Sequence, residues 1–141
     1  MKGILFSIIA GFCITLQGIF NTKMSSVIGG WHTTSIVHLV GFMLSLTIYL
    51  FVKDGDSKGM TKVPPIYFAG GALGVIVVFS ELTAIHLVGP ASAIAILLVA
   101  QLLGAFLIEA RGWFGEKSFS VRPHQLLGIC MMIVGVMLFK I

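Results

Sequence analysis

The sequence predicts an all-α membrane protein with five transmembrane helices, on three observations. First, 57% of the 141 residues are hydrophobic and only 10% are charged, and the mean hydropathy is +1.08. A soluble domain is about a quarter charged, so this chain has too few polar groups to cover an aqueous surface. Second, the apolar residues gather in five runs, each longer than a strand and without strict alternation, which disfavours a β-barrel. Third, Pro64, Pro65, Pro90 and Pro123 all fall where a run begins. There the missing N–H costs a helix nothing. Disorder is excluded because it requires low hydrophobicity, and a monomeric soluble enzyme is excluded by composition.

The predicted spans cover about residues 3–21, 32–52, 65–87, 89–108 and 124–139. At about 20 residues per span they use roughly 100 residues, which leaves a single transmembrane domain, 1–141. The first span has Lys2 before an apolar stretch, as a signal peptide does. No A-x-A site follows, and Gln17 and Asn21 interrupt its far end, so it reads as an uncleaved helix. The second span runs into the charged stretch that begins at Lys53. The third opens on Pro64-Pro65, and the fourth follows it across the tight link Gly89-Pro90, which makes the two antiparallel neighbours. The fifth carries Gly128 and Gly135. Trp31, Tyr49, Tyr67 and Trp113 lie near span ends, as an interfacial aromatic belt does. Cys13 and Cys130 lie inside spans with no disulfide or metal pattern around them and read as small apolar fillers.

Five spans put the two ends of the chain on opposite sides. Lys2, Lys53, Lys58, Lys62, Arg111, Lys117 and Arg122 then share the N-terminal side, against Lys23 and Lys140 on the other. Positive charge marks the cytoplasm, so the N-terminus is expected inside and the C-terminus outside. The same asymmetry accounts for the net charge of +4 without invoking nucleic acid.

A carboxylate deep in a bilayer costs roughly 2.5–3.5 kcal/mol on insertion scales, and such groups usually mark pathways. Glu81 is the one acid placed deep in a span; Glu109 and Lys23 sit at span ends. Gly70 and Gly74 share the helical face of Glu81 and form a G-x-x-x-G that permits close helix approach. In the first span Gly3, Ser7, Ala10, Gln17, Gly18 and Asn21 fall on one face. In the second Thr34, His38, Gly41, Ser45 and Tyr49 do the same. At 1.5 Å per residue, Gln17, His38 and Glu81 each lie about 6–8 Å outward of their helix middles. Gln17, Asn21, His38 and Glu81 are therefore candidate pathway residues, with Gln101 of the fourth span as a floor; helix packing through bonded polar groups is the competing reading. His32, His86 and His124 sit at span ends and read as interfacial. No G-x-S-x-G, H-E-x-x-H or Walker loop is present. No enzyme activity, cofactor or metal is expected.

The segment Gln17-Gly-Ile-Phe-Asn21, with Gly29 after it, and Val37-His-Leu-Val-Gly41 resemble the YdcZ-type family of the drug/metabolite transporter superfamily. So do Gly89-Pro-Ala-Ser-Ala93 and Gln101-Leu-Leu-Gly104, in that order along the chain. The stretch from Gly128 to Gly135 is similar to the last helix of small multidrug resistance proteins. The resemblance implies a half-transporter in a bacterial plasma membrane. Larger relatives hold two inverted five-helix repeats around a midplane site, so a five-helix chain needs an antiparallel partner. Small multidrug resistance proteins carry a Glu in the first helix, where this chain has Gln17 and no acid. Any proton coupling then falls to Glu81, with His38 as a possible helper.

The expected function is alternating-access movement of a small molecule or metabolite. The alternatives are a non-transporting accessory subunit and the flipping of a lipid-linked head group. Dimer contacts are expected at Gly128 and Gly135, and otherwise at Gly70 and Gly74. The Lys/Arg bias makes dual insertion rare and points to a different five-span chain as the partner, with an antiparallel homodimer as the alternative.

Overall fold

The structure is a computed structural model that describes residues 1–52, 63–113 and 123–139. The loop charges Lys53, Asp54, Asp56, Lys58, Lys62, Glu116, Lys117 and Arg122, together with Lys140 and the side chain of His124, lie outside the described residues. All regular structure among the described residues is helical: α1 (Lys2–Ile28), α2 (Gly30–Phe51), a 3-10 turn at Pro65–Phe68 running into α3 (Ala69–Val88), α4 (Pro90–Arg111) and α5 (Pro123–Phe139). The described residues are those of an all-helical membrane protein. α1, α2, the Pro65–Val88 segment and α4 are each long and apolar enough to cross a bilayer, and α5 carries a shorter apolar stretch, Leu127–Leu138. Helices are the form such runs must take. Lipid offers no hydrogen bonds, so each backbone N–H and C=O is satisfied within its own segment.

α1 extends seven residues past Asn21, the end expected from its polar residues. Polar side chains do not terminate a helix when the backbone conformation still suits one. Termination comes at Gly29, whose φ of 85° and ψ of 157° form a one-residue turn into α2. That conformation is essentially restricted to glycine. The Gly29 N–H donates to the Ser25 carbonyl at 2.9 Å, and the Thr33 N–H donates to the Gly29 carbonyl at 3.1 Å. A similar φ, 82°, recurs at Gly89, before α4.

The chain divides into two compact units, Met1–His86 and Leu87–Ile141. In the first, the contacts of α1 with α3 run in parallel register, from Gly18 against Glu81 to Ser25 against His86. α2 meets α3 antiparallel, from Gly30 against Phe79 to His38 against Gly74. The buried residues gather toward the Gly29 end: Gly18, Asn21 and Ser25 of α1, Thr33 and Thr34 of α2, and Val78, Glu81, Leu82 and Ile85 of α3. Trp31, expected as a belt residue, stacks on Phe79 with ring centroids 4.2 Å apart. In the second unit, α4 and α5 pack together, leaving an open groove of about 540 Å³ that is apolar apart from Glu109 and Gln125. α4 ends at Gly112 in the left-handed conformation, and the Arg111 guanidinium lies over the Trp113 ring at 5.1 Å.

Candidate functional site

The packed end of the first unit is polar where a membrane core is ordinarily apolar. Glu81 is only 7% exposed and Asn21 only 5%. They come from separate stripes. Gly18, Asn21 and Ser25, spaced three and four apart, line one face of α1, while Val78, Glu81, Leu82 and Ile85 line one face of α3. Such spacing stacks side chains along one side of a helix. The carboxylate of Glu81 rests against the backbone of Gly18: a Cβ at that position would lie 2.6 Å from Oε1 and 3.0 Å from Cδ1 of Ile85. Only a residue without a side chain permits this approach.

Hydroxyl groups around this layer turn inward to their own helices. Thr22 donates to the Gly18 carbonyl at 2.7 Å, Thr33 to Gly29 at 3.0 Å, Thr34 to Gly30 at 2.9 Å and Thr83 to Phe79 at 2.7 Å. Ser25 donates to the Thr22 carbonyl at 2.9 Å. Its single proton is then used, so the 2.8 Å contact with His86 Nε2 has the imidazole N–H donating to the Ser25 oxygen. In His38 the Nδ1–H donates to the Thr34 carbonyl at 2.8 Å. Its Nε2 points at Gly74, 3.3 Å from where a Cβ would stand. Two buried side-chain atoms find no partner among the described residues, Asn21 Nδ2 and Glu81 Oε1. Buried polar atoms are rarely left unpaired, because each forfeits its hydration for nothing.

The structure buries Asn21 on α1 and Glu81 on α3 in the same unit, and sets His38 of α2, half-buried, against Gly74 of α3. Gln17 is exposed, and its neighbour Gly18 takes the position against Glu81. Gln101 is exposed on α4, in the second unit. Gly74 is covered by His38 of the same chain, whereas Gly70, Gly128 and Gly135 have nothing within 4 Å of a Cβ. Cys13 and Cys130, expected as fillers, are exposed free thiols. Gly18, Ser25 and His86 gained their roles only from the structure. The spacing Gly18, Asn21, Ser25 held the signal, and His86 lay at a helix end where nothing distinguished it from an interfacial residue.

The family model DMT_YdcZ, described as "Putative inner membrane exporter, YdcZ", matches residues 3–138. No curated protein matches the chain, and no solved structure does.

Proposed function

The chain belongs to the DMT_YdcZ family of inner-membrane exporters, and from that premise we propose that it is one half of an alternating-access transporter for a small molecule, with Glu81 at the centre of its pathway. The observation that carries this is the buried Glu81 carboxylate, seated on Gly18 with Oε1 unpaired. A purely structural carboxylate in a membrane interior is bonded to a neighbouring helix, because that bond is what offsets its burial. Glu81 has come to the helix interface without making such a bond, as a group reserved for a ligand or ion does.

The remainder of the reading concerns assembly. An odd number of helices in a half-transporter calls for an antiparallel partner to complete the inverted repeat. Open faces at Gly128 and Gly135 support close approach of a partner helix. The bias of seven basic residues against two sets the N-terminus in the cytoplasm and favours a different chain as the partner. In that orientation the Gly29 end faces outward. The buried residues of α1 and α2 cluster at that end, which suits a state closed to the outside. His38 lies on the inward route from Glu81, and Gln17 and Asn21 remain pathway residues on this reading.

The test is Glu81→Gln, which keeps the shape and removes the charge. Wild type and variant are reconstituted into proteoliposomes and compared for exchange of a compound selected because it raises the melting midpoint of the purified protein. The variant is expected to remain assembled by size-exclusion chromatography and to lose exchange at least a hundred-fold. Wild-type exchange would remove Glu81 from the pathway. Loss of assembly would assign it a structural role and favour the accessory-subunit reading.

A further inference from the structure

We propose that α4 pairs with α4 of a second copy of this chain, lying the same way up in the membrane, through the Gln101 side chains of both copies. This goes beyond the transporter reading and leaves α5 to the antiparallel partner.

Gln101 stands at the middle of its helix, with eleven residues of α4 before it (90–100) and ten after it (102–111). At about 1.5 Å per residue α4 is about 33 Å long, close to the thickness of a hydrocarbon core, so the amide lies near the bilayer midplane. Its side chain is exposed, and among the described residues neither Oε1 nor Nε2 has a hydrogen-bond partner. An amide held in hydrocarbon without a hydrogen bond is strongly disfavoured. It does not titrate, so a proton cannot relieve it as it would a carboxylate.

The surroundings of Gln101 say what relieves it. The α4 residues that line the grooves against α5 include Ile96, Val99 and Leu103, and Leu102 and Phe106. Gln101, two residues on from Val99, lies roughly 160° around the helix from it, on the side away from α5. That side carries Ile94, Leu97, Gln101, Gly104 and Ile108, spaced alternately three and four apart. Ile94, Leu97 and Ile108 keep part of their surface open, and Gly104 has nothing within 4 Å of a Cβ. Such spacing is the seam of a coiled-coil pair, and a single polar residue within the seam fixes register and partner number. In lipid, amides bond across helices in the same way. A water-filled route would need polar groups along this face, and Gln101 is the one polar residue of the five.

The occupant follows from the chemistry of the amide. It carries both donor and acceptor, so two copies about a two-fold axis satisfy each other by reciprocal bonds. Seven basic residues against two set one orientation for every copy. The axis then runs along the membrane normal, and Ile94, Gln101 and Ile108 each meet their own counterpart.

The experiment is disulfide trapping of the full-length chain in membranes. Cys13 and Cys130, both exposed free thiols, are first replaced by Ser. Ile94→Cys, Ile108→Cys and, off the seam, Leu107→Cys are then introduced singly and oxidised with copper phenanthroline. A disulfide needs Cβ atoms about 3.5–4.5 Å apart, so Ile94→Cys and Ile108→Cys should each form covalent dimer at least ten-fold faster than Leu107→Cys. Adding Gln101→Leu should slow both at least five-fold, whereas Gln101→Asn, which keeps the amide, should restore most of the rate. Equal rates at all three positions overturn the proposal. So does dimer that forms only when Ile94→Cys and Ile108→Cys chains are co-expressed, which would make the copies antiparallel. Trapping that Gln101→Leu leaves unchanged also overturns it, and loss of exchange by that variant would then assign Gln101 to the pathway.

Discussion

The contact of Glu81 with the Gly18 backbone is the most informative position to perturb. In Gly18→Ala the new methyl carbon would lie 2.6 Å from Oε1 and 3.2 Å from Cδ of Glu81, and 3.0 Å from Cδ1 of Ile85. Ordinary contact starts near 3.4 Å, so the carboxylate must withdraw by roughly 0.8 Å, and the tip of Ile85 by about half that. Both are ends of flexible side chains, so the stability cost belongs at the low end of the overpacking range, about 1 kcal/mol. Replacing a mid-helix glycine by alanine returns a similar amount, about 1 kcal/mol, through helix propensity. The two nearly cancel, and the melting midpoint of Gly18→Ala should lie within about 3 °C of wild type. Function should not cancel in this way. The carboxylate loses its seat, and exchange in proteoliposomes should fall at least ten-fold. Gly11→Ala provides the control, since nothing lies within 4 Å of its Cβ; it should match or exceed wild-type stability and keep full exchange. Wild-type exchange by Gly18→Ala would refute the claim that the Gly18 backbone positions Glu81. A large drop in midpoint would show instead that the contact is rigid packing.

Three further outcomes are expected. Gly29→Ala forces a side chain onto a backbone with φ of 85° and ψ of 157°; it should cost about 1–3 kcal/mol, read as a lowered midpoint in detergent, and an unchanged midpoint would mean that the α1–α2 turn relaxes freely. Ser25→Ala and His86→Ala each remove the 2.8 Å bond between α1 and α3 and should each cost about 0.5–1.5 kcal/mol. Because the two remove the same bond, the double variant should cost less than the sum; strict additivity would show that the bond contributes nothing. Replacing Gly128 and Gly135, both open on α5, with Leu should separate subunits in detergent as judged by light scattering. An unchanged mass would move the dimer contact elsewhere, first to the open face at Gly70.

The sequence by itself determined the class, the helices and the family. Hydropathy alone suffices for the helices, because a chain in lipid has no other way to satisfy its backbone. The start signals at Pro65, Pro90 and Pro123 coincide with observed helix starts. Glu81 stood out because a deep acid is costly whatever surrounds it. Rotation about each helix axis was a different matter. A face drawn from periodicity spans several residues, and Gln17 drew attention within it because it is polar. Packing set the adjacent Gly18, 100° away, against Glu81, because a small residue lets a facing side chain come close to the backbone, and glycine carries little hydropathic signal. In the same way Gly74 had the spacing of an interface between chains, yet the structure set His38 of the same chain against it. Ser25 and His86 are 61 residues apart, with no shared motif to join them. Only the parallel register of α1 and α3 brought them within hydrogen-bonding distance, and that register is a property of tertiary packing that no single helix encodes.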